Sequence, residues 1–402
     1  MRFRHKRERL GRVKRPWRVQ LVVDGDQEYF RETMLGARRR AFERGRLEFV
    51  DRWLPQELAG GDLRSLVARD GVRGIVAAIH DPVREAVFRA LPVPVVNVSN
   101  GLAVPRLPVV TQDDREVGRI AAEHLLGRGL RGFLFWGQRG GASYSEGRRR
   151  GFLEAMEAAG VPRASVVFGG TMAQEMGADA VREEMREALR RLERPAGVFA
   201  VLDHLALAIL RTARDVGLRV PEDLAVLGAG DDDFWVEFER TPLSSVRLPA
   251  REIGYEAAAL LENLIARGRR GTRRGAAEFV ALPGARVVAR QSSETLGGGD
   301  ALVARAAALL REHPGARVAE IARACGVARS GLQRRFIQAL GHGILEERRR
   351  VRLARVERLL LASDAKLSVV AVEAGYPSAQ RLAADLRRAH GCTPGVWRRR
   401  AR

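Results

Sequence analysis

From Val19 to Leu227 short apolar runs alternate with longer segments whose apolar residues recur every three or four positions. The runs Val19–Val23, Leu47–Val50, Gly74–Ala78, Val93–Val98, Gly132–Trp136, Val198–Leu202 and Leu224–Leu227 have the length and apolar continuity of buried strands. Glu32–Arg44, Val117–Leu126, Gly147–Ala159 and Met176–Leu192 have helical spacing. Such alternation over roughly 250 residues predicts parallel sheets covered by helices on both faces. The stretch can hold two α/β lobes with a cleft between them, and ligands of such sheets bind beyond the carboxyl ends of the strands.

The pattern changes near residue 290. Periodicity stops over Gln291–Gly299, whose end Leu296-Gly297-Gly298-Gly299 reads as a linker. Beyond it one phrase is written twice. Val318–Phe336 reads as a short helix packed through Ile321 and Ala322, a turn at Gly326, and a second helix held by Leu332 and Phe336. Val369–Leu386 repeats this layout through Gly375, Leu382 and Leu386, with one extra residue in the turn. These are two helix-turn-helix units, at 318–338 and 367–389, and the second helix of such a unit lies in a DNA major groove. The expected organisation is a basic leader over residues 1–16, a two-lobed α/β domain over 17–290, a linker over 291–299 and an all-α domain over 300–402.

Charge sharpens this division. The 402-residue chain carries +21, of which Asp300–Arg402 contributes +12 and Met1–Arg18 contributes +8. The middle is nearly neutral, so positive charge gathers at the ends, where it can neutralise phosphates. An arginine-rich composition alone does not explain a neutral middle. The two cysteines, Cys325 and Cys392, form no disulfide framework or zinc spacing, which fits a reducing cytoplasm. No stretch approaches 18 apolar residues, and the basic start leads into no hydrophobic leader segment, so neither a membrane span nor a signal peptide is expected. The chain has no Gly-x-x-x-x-Gly-Lys-[Ser/Thr] loop, His-Glu-x-x-His or Gly-x-Ser-x-Gly, and its seven His do not cluster. Nothing calls for a cofactor or a metal, and an enzyme is the weaker expectation.

Residues 300–402 resemble the AraC family of transcription regulators. The resemblance covers both helix-turn-helix units, the connecting helix Glu346–Ala362 with its Arg352–Leu360 run, and the closing phrase Gly391-Cys392-Thr393-Pro394-Gly395-Val396-Trp397-Arg398. Ala328 departs from it where Ser or Thr usually caps the recognition helix, a loss of about 1 kcal/mol. Leu382 and Leu386 stand where Phe is common and keep those positions apolar. On the face opposite Leu332 and Phe336, the expected DNA-contacting residues are Arg329, Ser330, Gln333 and Arg334. Ser378, Gln380, Arg381 and Arg388 correspond in the second unit. Arg can bind guanine and Gln adenine through paired hydrogen bonds, and about half of the set is expected to touch only phosphate.

The α/β region resembles the sugar-binding domain of the lactose-repressor family, itself similar to periplasmic binding proteins. The phrases that carry this are Asp113–Gly118 with Ala121–Leu126, Arg148–Ala155, Val220–Gly228, Leu243–Val246 and Leu282–Val288. That family carries its DNA-binding domain at the other end of the chain. The resemblance implies a monosaccharide effector, a pentose such as xylose with a uronic acid as the alternative, held by Tyr29, Arg31, Asp113, Arg148, Asp203 and Asp231. Each of these could instead be a helix cap or surface ion pair. Leu202 and Gly230 stand where the family usually has Asn and Asp, which alters the donor and acceptor map. The expected protein is a cytoplasmic, homodimeric, ligand-responsive regulator of duplex DNA that works with RNA polymerase. An activator is the first reading and a repressor released by its ligand the alternative. An enzyme fused to a DNA-binding tail is the competing class.

Overall fold

The computed structural model describes residues 15–401 except 24–26, 51–62, 141, 172–178, 237–240, 269–277, 295–299 and 341. The expected basic leader lies almost wholly outside the described residues.

In the first lobe β1 (Trp17–Val22), α1 (Glu28–Arg44), β2 (Leu47–Phe49), α2 (Leu63–Arg69), β3 (Gly74–Ala77), α3 (Pro82–Arg89), β4 (Val95–Asn97) and β5 (Val109–Gln112) follow in order. The second lobe continues with α4 (Asp114–Leu126), β6 (Gly132–Gln138), α5 (Ser143–Ala158), β7 (Val166–Thr171) and α6 (Asp179–Arg190). Then come β8 (Ala196–Ala200), α7 (Asp203–Asp215), β9 (Leu224–Gly230), α8 (Asp233–Val236) and β10 (Ser244–Arg247). The chain returns to the first lobe in α9 (Ala250–Arg267) and β11 (Phe279–Leu282), and crosses again to β12 (Arg286–Val288). The sheet orders are β11-β5-β4-β3-β1-β2 and β12-β10-β9-β8-β6-β7. Every pairing is parallel except β10 with β12.

The α/β class expected from the alternation is therefore observed, and the strands predicted from apolar runs lie in these sheets. Edge strands were less legible. β7 carries Gly169 and Gly170, which read as breaks in a strand pattern, yet a Cβ on Gly169 would come 2.2 Å from the buried Trp136 ring. Glycine there makes room for a core aromatic. Helices α1, α4 and α5 begin three or four residues before the expected helical segments, at Glu28, Asp114 and Ser143.

Among the described residues the chain crosses between the lobes at Asp113, at 248–249 and at 283–285. The Asp113 amide donates to Leu282 O at 2.9 Å, so two crossings run hydrogen-bonded side by side. Each lobe also contains one very close helix pair. In α4 and α5, a Cβ on Gly118 or Gly151 would sit 1.9 Å from the facing backbone carbonyl. Gly36 and Gly254 do the same for α1 and α9.

The remaining helices are α10 (Ala301–Glu312), α11 (Val318–Ala324), α12 (Arg329–Leu340), α13 (Ile344–Ala362), α14 (Leu367–Glu373), α15 (Ala379–His390) and α16 (Pro394–Ala401). One core gathers Val303, Leu310, Ile321, Leu332 and Phe336, and a second gathers Val356, Leu360, Val370, Tyr376, Leu382 and Leu386. The long α13 spans both cores. Its Arg352 donates to Pro314 O at 2.6 Å and stacks 5.5 Å from the Tyr376 ring centroid, tying the two units together.

Candidate effector cleft and DNA-facing helices

The cleft is built on two buried carboxylate centres. The first is Asp114, which starts α4 just beyond the crossing. Its carboxylate accepts from Arg148 Nε at 2.8 Å, Gln112 Nε2 at 2.9 Å and Asn100 Nδ2 at 2.7 Å. Arg148 also donates to Val201 O, and its guanidinium lies 5.4 Å from the Tyr144 ring centroid. Only 2% of the Arg148 side chain and 3% of the Asp114 side chain are exposed, so both ions depend on these partners for the solvation they have lost. Gln112 and Asn100 belong to the first lobe, Arg148 and Val201 to the second. The Tyr29 hydroxyl extends the centre, lying 3.1 Å from Gln112 Oε1 and 3.2 Å from Val98 O. Burial pushes the Tyr29 phenol far above its ordinary pKa, with the Asp114 charge adding to the rise. Asn100 Oδ1 is buried with no hydrogen-bond partner among the described residues, an acceptor that a bound hydroxyl can satisfy.

The second centre is Asp203, the first residue of α7. It accepts from Ser245 Oγ at 2.5 Å and from the Asp232 amide at 3.1 Å. Burial pushes its carboxyl up to about 6, against the lowering pull of those two bonds and with help from the Asp231 charge. A Cβ on Gly228 would lie 2.3 Å from Asp203 Oδ1, and one on Gly230 2.9 Å from Oδ2. Gly230 also has φ +133, a region nearly restricted to glycine. The glycine at 230, which removes an expected carboxylate, thus vacates the space that Asp203 fills. Asp231 follows with φ 59, its carboxylate held by Arg247 Nε and Arg290 Nη1 at 2.5 Å each. The lobes meet at this turn: Asp232 accepts from the Glu28 amide at 3.0 Å and Glu28 accepts from the Asp233 amide at 2.6 Å.

Of the six residues expected at the effector, Tyr29, Arg148, Asp203 and Asp231 face these two centres. Asp113 does not. Its carboxylate caps α4, accepting from the Arg115 and Glu116 amides at 2.9 and 3.1 Å, and its neighbour Asp114 enters the network instead. Arg31 is exposed on the first turn of α1, where its charge acts on Glu28. The sequence reading missed Asp114, Gln112 and Asn100. The doublet Asp113-Asp114 was the available signal: one carboxylate caps a helix and the other is free to turn inward. Among the described residues no three His, Cys, Asp or Glu converge to hold a metal ion.

In the helical domain α12 and α15 expose the expected faces. Arg329, Ser330 and Arg334 are exposed on α12, as are Gln380, Arg381 and Arg388 on α15. Two residues are placed otherwise. Gln333 is half-buried, its amide so close to Gly343 that a Cβ there would lie 2.0 Å from Nε2. Ser378 caps α15, its Oγ accepting from the Arg381 amide at 3.2 Å. Gln338, one turn beyond Arg334, is exposed on the same face of α12 and was not anticipated.

Comparison with known proteins places both halves. Residues 122–293 match the family model of a periplasmic binding protein-like domain, and residues 321–400 match that of a helix-turn-helix domain. The chain is 26% identical over 333 residues to the xylose operon regulatory protein of Escherichia coli K12, covering 81% of this chain and 83% of that protein. It is 32% identical over 205 residues to the transcriptional regulator DegA of Bacillus subtilis, covering 51% and 57%. The solved structure of a xylose-binding transcription activator superposes with a TM-score of 0.68 at 23% identity, covering 95% of this chain and 97% of that one, and so shares the fold. Among the described residues no helix is long and apolar enough to cross a membrane. The chain is a DNA-binding transcription regulator in which an AraC-type helix-turn-helix domain follows a periplasmic binding protein-like domain.

Proposed function

We propose that this regulator binds a monosaccharide between its lobes, a pentose such as D-xylose, and activates sugar-utilisation genes as a cytoplasmic homodimer acting with RNA polymerase. The observation that carries the reading is the polar network around Asp114. Donors and acceptors from both lobes converge there, and Asn100 Oδ1 is left without a partner among the described residues. A sugar presents only hydroxyls and ring carbons, so its site needs charged acceptors, forked donors and aromatic faces. Asp114, Asp203, Arg148, Tyr29 and Tyr144 are residues of those kinds. The similarity to the xylose operon regulatory protein over most of both chains supports the pentose class. Arg329, Ser330, Arg334, Gln380, Arg381 and Arg388 are the proposed DNA contacts, with the two units reading successive major-groove faces about 10 base pairs apart.

The test is a thermal-shift screen of the full chain against pentoses, hexoses and sugar acids, followed by footprinting with and without each hit. A pentose is expected to raise the melting temperature in proportion to occupancy and to change the footprint. A sugar acid as the sole hit would overturn the pentose assignment. No response to any sugar would overturn the effector class.

A further inference from the structure

The Asp231 turn is connected through Arg290 to the buried segment Gln291–Ser293, which precedes the helical domain in the chain. Arg290 Nη1, besides holding Asp231, donates to Leu243 O at 3.1 Å. The Arg290 amide and carbonyl both bond Ser244 Oγ at 2.7 Å, so the residue is stitched to β10. Gln291–Ser293, expected from sequence to open a linker, form instead a turn of 3-10 helix in which Ser292 and Ser293 are fully buried. The Ser292 amide donates to Pro242 O at 3.0 Å and its Oγ to Val226 O at 2.6 Å. Ser293 bonds His124 Nε2 at 2.7 Å and Arg128 Nε at 2.5 Å. The next residue, Glu294, lies within electrostatic reach of Arg311 in α10 and Glu347 in α13. Arg311 itself pairs with Glu222 of the second lobe, both side chains less than 15% exposed.

At the other end of this route, Asp231 adjoins Asp232, the residue that meets Glu28 of the first lobe. A change in the distance between the lobes must therefore act on the 230–233 turn. The left-handed Asp231 backbone persists only while its neighbours over-determine it. Those neighbours are Arg247, Arg290 and Ser245, the last accepting from the Asp231 amide at 3.0 Å. We propose that Arg290 is the coupling residue of this regulator: through its ion pair with Asp231 it passes the closure of the lobes to the turn that leads into the helix-turn-helix domain. This rests on the effector-controlled reading above. Arg290 is a positioning residue that acts through Asp231 and Ser292 and contacts neither sugar nor DNA.

The experiment uses the full chain, Arg290→Gln and Arg290→Lys. D-xylose is the probe, and the DNA is a duplex selected by the parent protein from a random pool. D-xylose affinity is measured for each protein, and duplex binding is compared without sugar and at a saturating D-xylose concentration for that protein. The sugar-induced change in duplex affinity, expected on the order of tenfold in the parent, should fall close to onefold in Arg290→Gln. Arg290→Lys, which keeps the charge but not the fork, should restore part of it. Hydrogen exchange adds a readout that needs no sugar: the Ser292 amide and the amides of α10 should both exchange faster in Arg290→Gln. Faster exchange at Ser292 with α10 unchanged would make the role local and overturn the proposal, as would a Gln variant that responds to D-xylose like the parent. A parent that ignores D-xylose would overturn the pentose reading alone, and the exchange result would then decide the coupling.

Discussion

The two halves of this molecule use charge in opposite ways. In the α/β lobes Arg148, Asp203 and Asp231 are each at most 5% exposed and survive burial through dense hydrogen bonding. In the helical domain Arg329, Arg334 and Arg381 stand in solvent. A buried ion is defined by partners inside the fold, so its removal should be felt in stability first. An exposed arginine on a recognition helix is completed by a partner outside the fold, so its removal should be felt in binding.

The largest effect should come from Arg148→Ala. It leaves the Asp114 carboxylate buried with only the amide donors of Asn100 and Gln112, and should destabilise the lobes by about 3–5 kcal/mol in denaturant unfolding. Breaking the exposed Arg39–Glu43 pair, whose side chains are 73% and 39% accessible, should leave the unfolding midpoint close to the parent's. Similar losses in the two variants would break the comparison.

Asp203 gives a pH-dependent version. Its folded pKa of about 6 lies above the ordinary 3.8, so between about pH 4 and 6 the native state holds more protons than the unfolded chain. The resulting stability is fully present below the unfolded value and is lost as pH rises through about 6. The loss should be about 2–3 kcal/mol. Unfolding the parent and Asp203→Asn from pH 4 to 8 checks it: the parent should lose that increment relative to the variant. Parallel curves would mean that Asp203 ionises at its ordinary value.

For the exposed set, Arg329→Ala should leave the melting temperature within a degree or two. It should weaken DNA binding by about 1–3 kcal/mol at one base position if the contact is to guanine. A uniform loss over all sequences would place Arg329 on phosphate. The smallest effects compare the two units themselves. Ser378→Ala should cost about 1 kcal/mol, and Ala328→Ser should add a similar amount at the equivalent position of the first unit. Thermal melts of the two variants should move in opposite directions.

The same contrast explains which site residues were legible. Periodicity of 3.6 distinguishes the inner and outer faces of α12 and α15, so Arg329, Arg334 and Arg381 could be named from Leu332, Phe336 and Leu382 alone. Even there Gln333 shows the limit: its amide occupies the space left by the missing side chain of Gly343, ten residues away in sequence. In the cleft the signal was residue type at strand ends, which cannot tell Asp113 from Asp114. One caps a helix and the other enters the network, a difference of one residue in where α4 begins. Asn100 and Gln112 carry no sequence signal, because uncharged amides at strand ends are common.

By itself the sequence determined the α/β alternation, the duplicated helix-turn-helix unit and the concentration of positive charge at the ends. Those features are written in local order, as periodicity, turn residues and composition. Tertiary structure alone decided that Arg148 meets Asp114, that Gly228 and Gly230 open space for Asp203, and that Arg290 joins the Asp231 turn to a buried segment expected to be linker. Each joins residues that are distant in sequence or distinguished only by backbone conformation. Such contacts form when sheets and crossings close in three dimensions, and no local pattern encodes that closure.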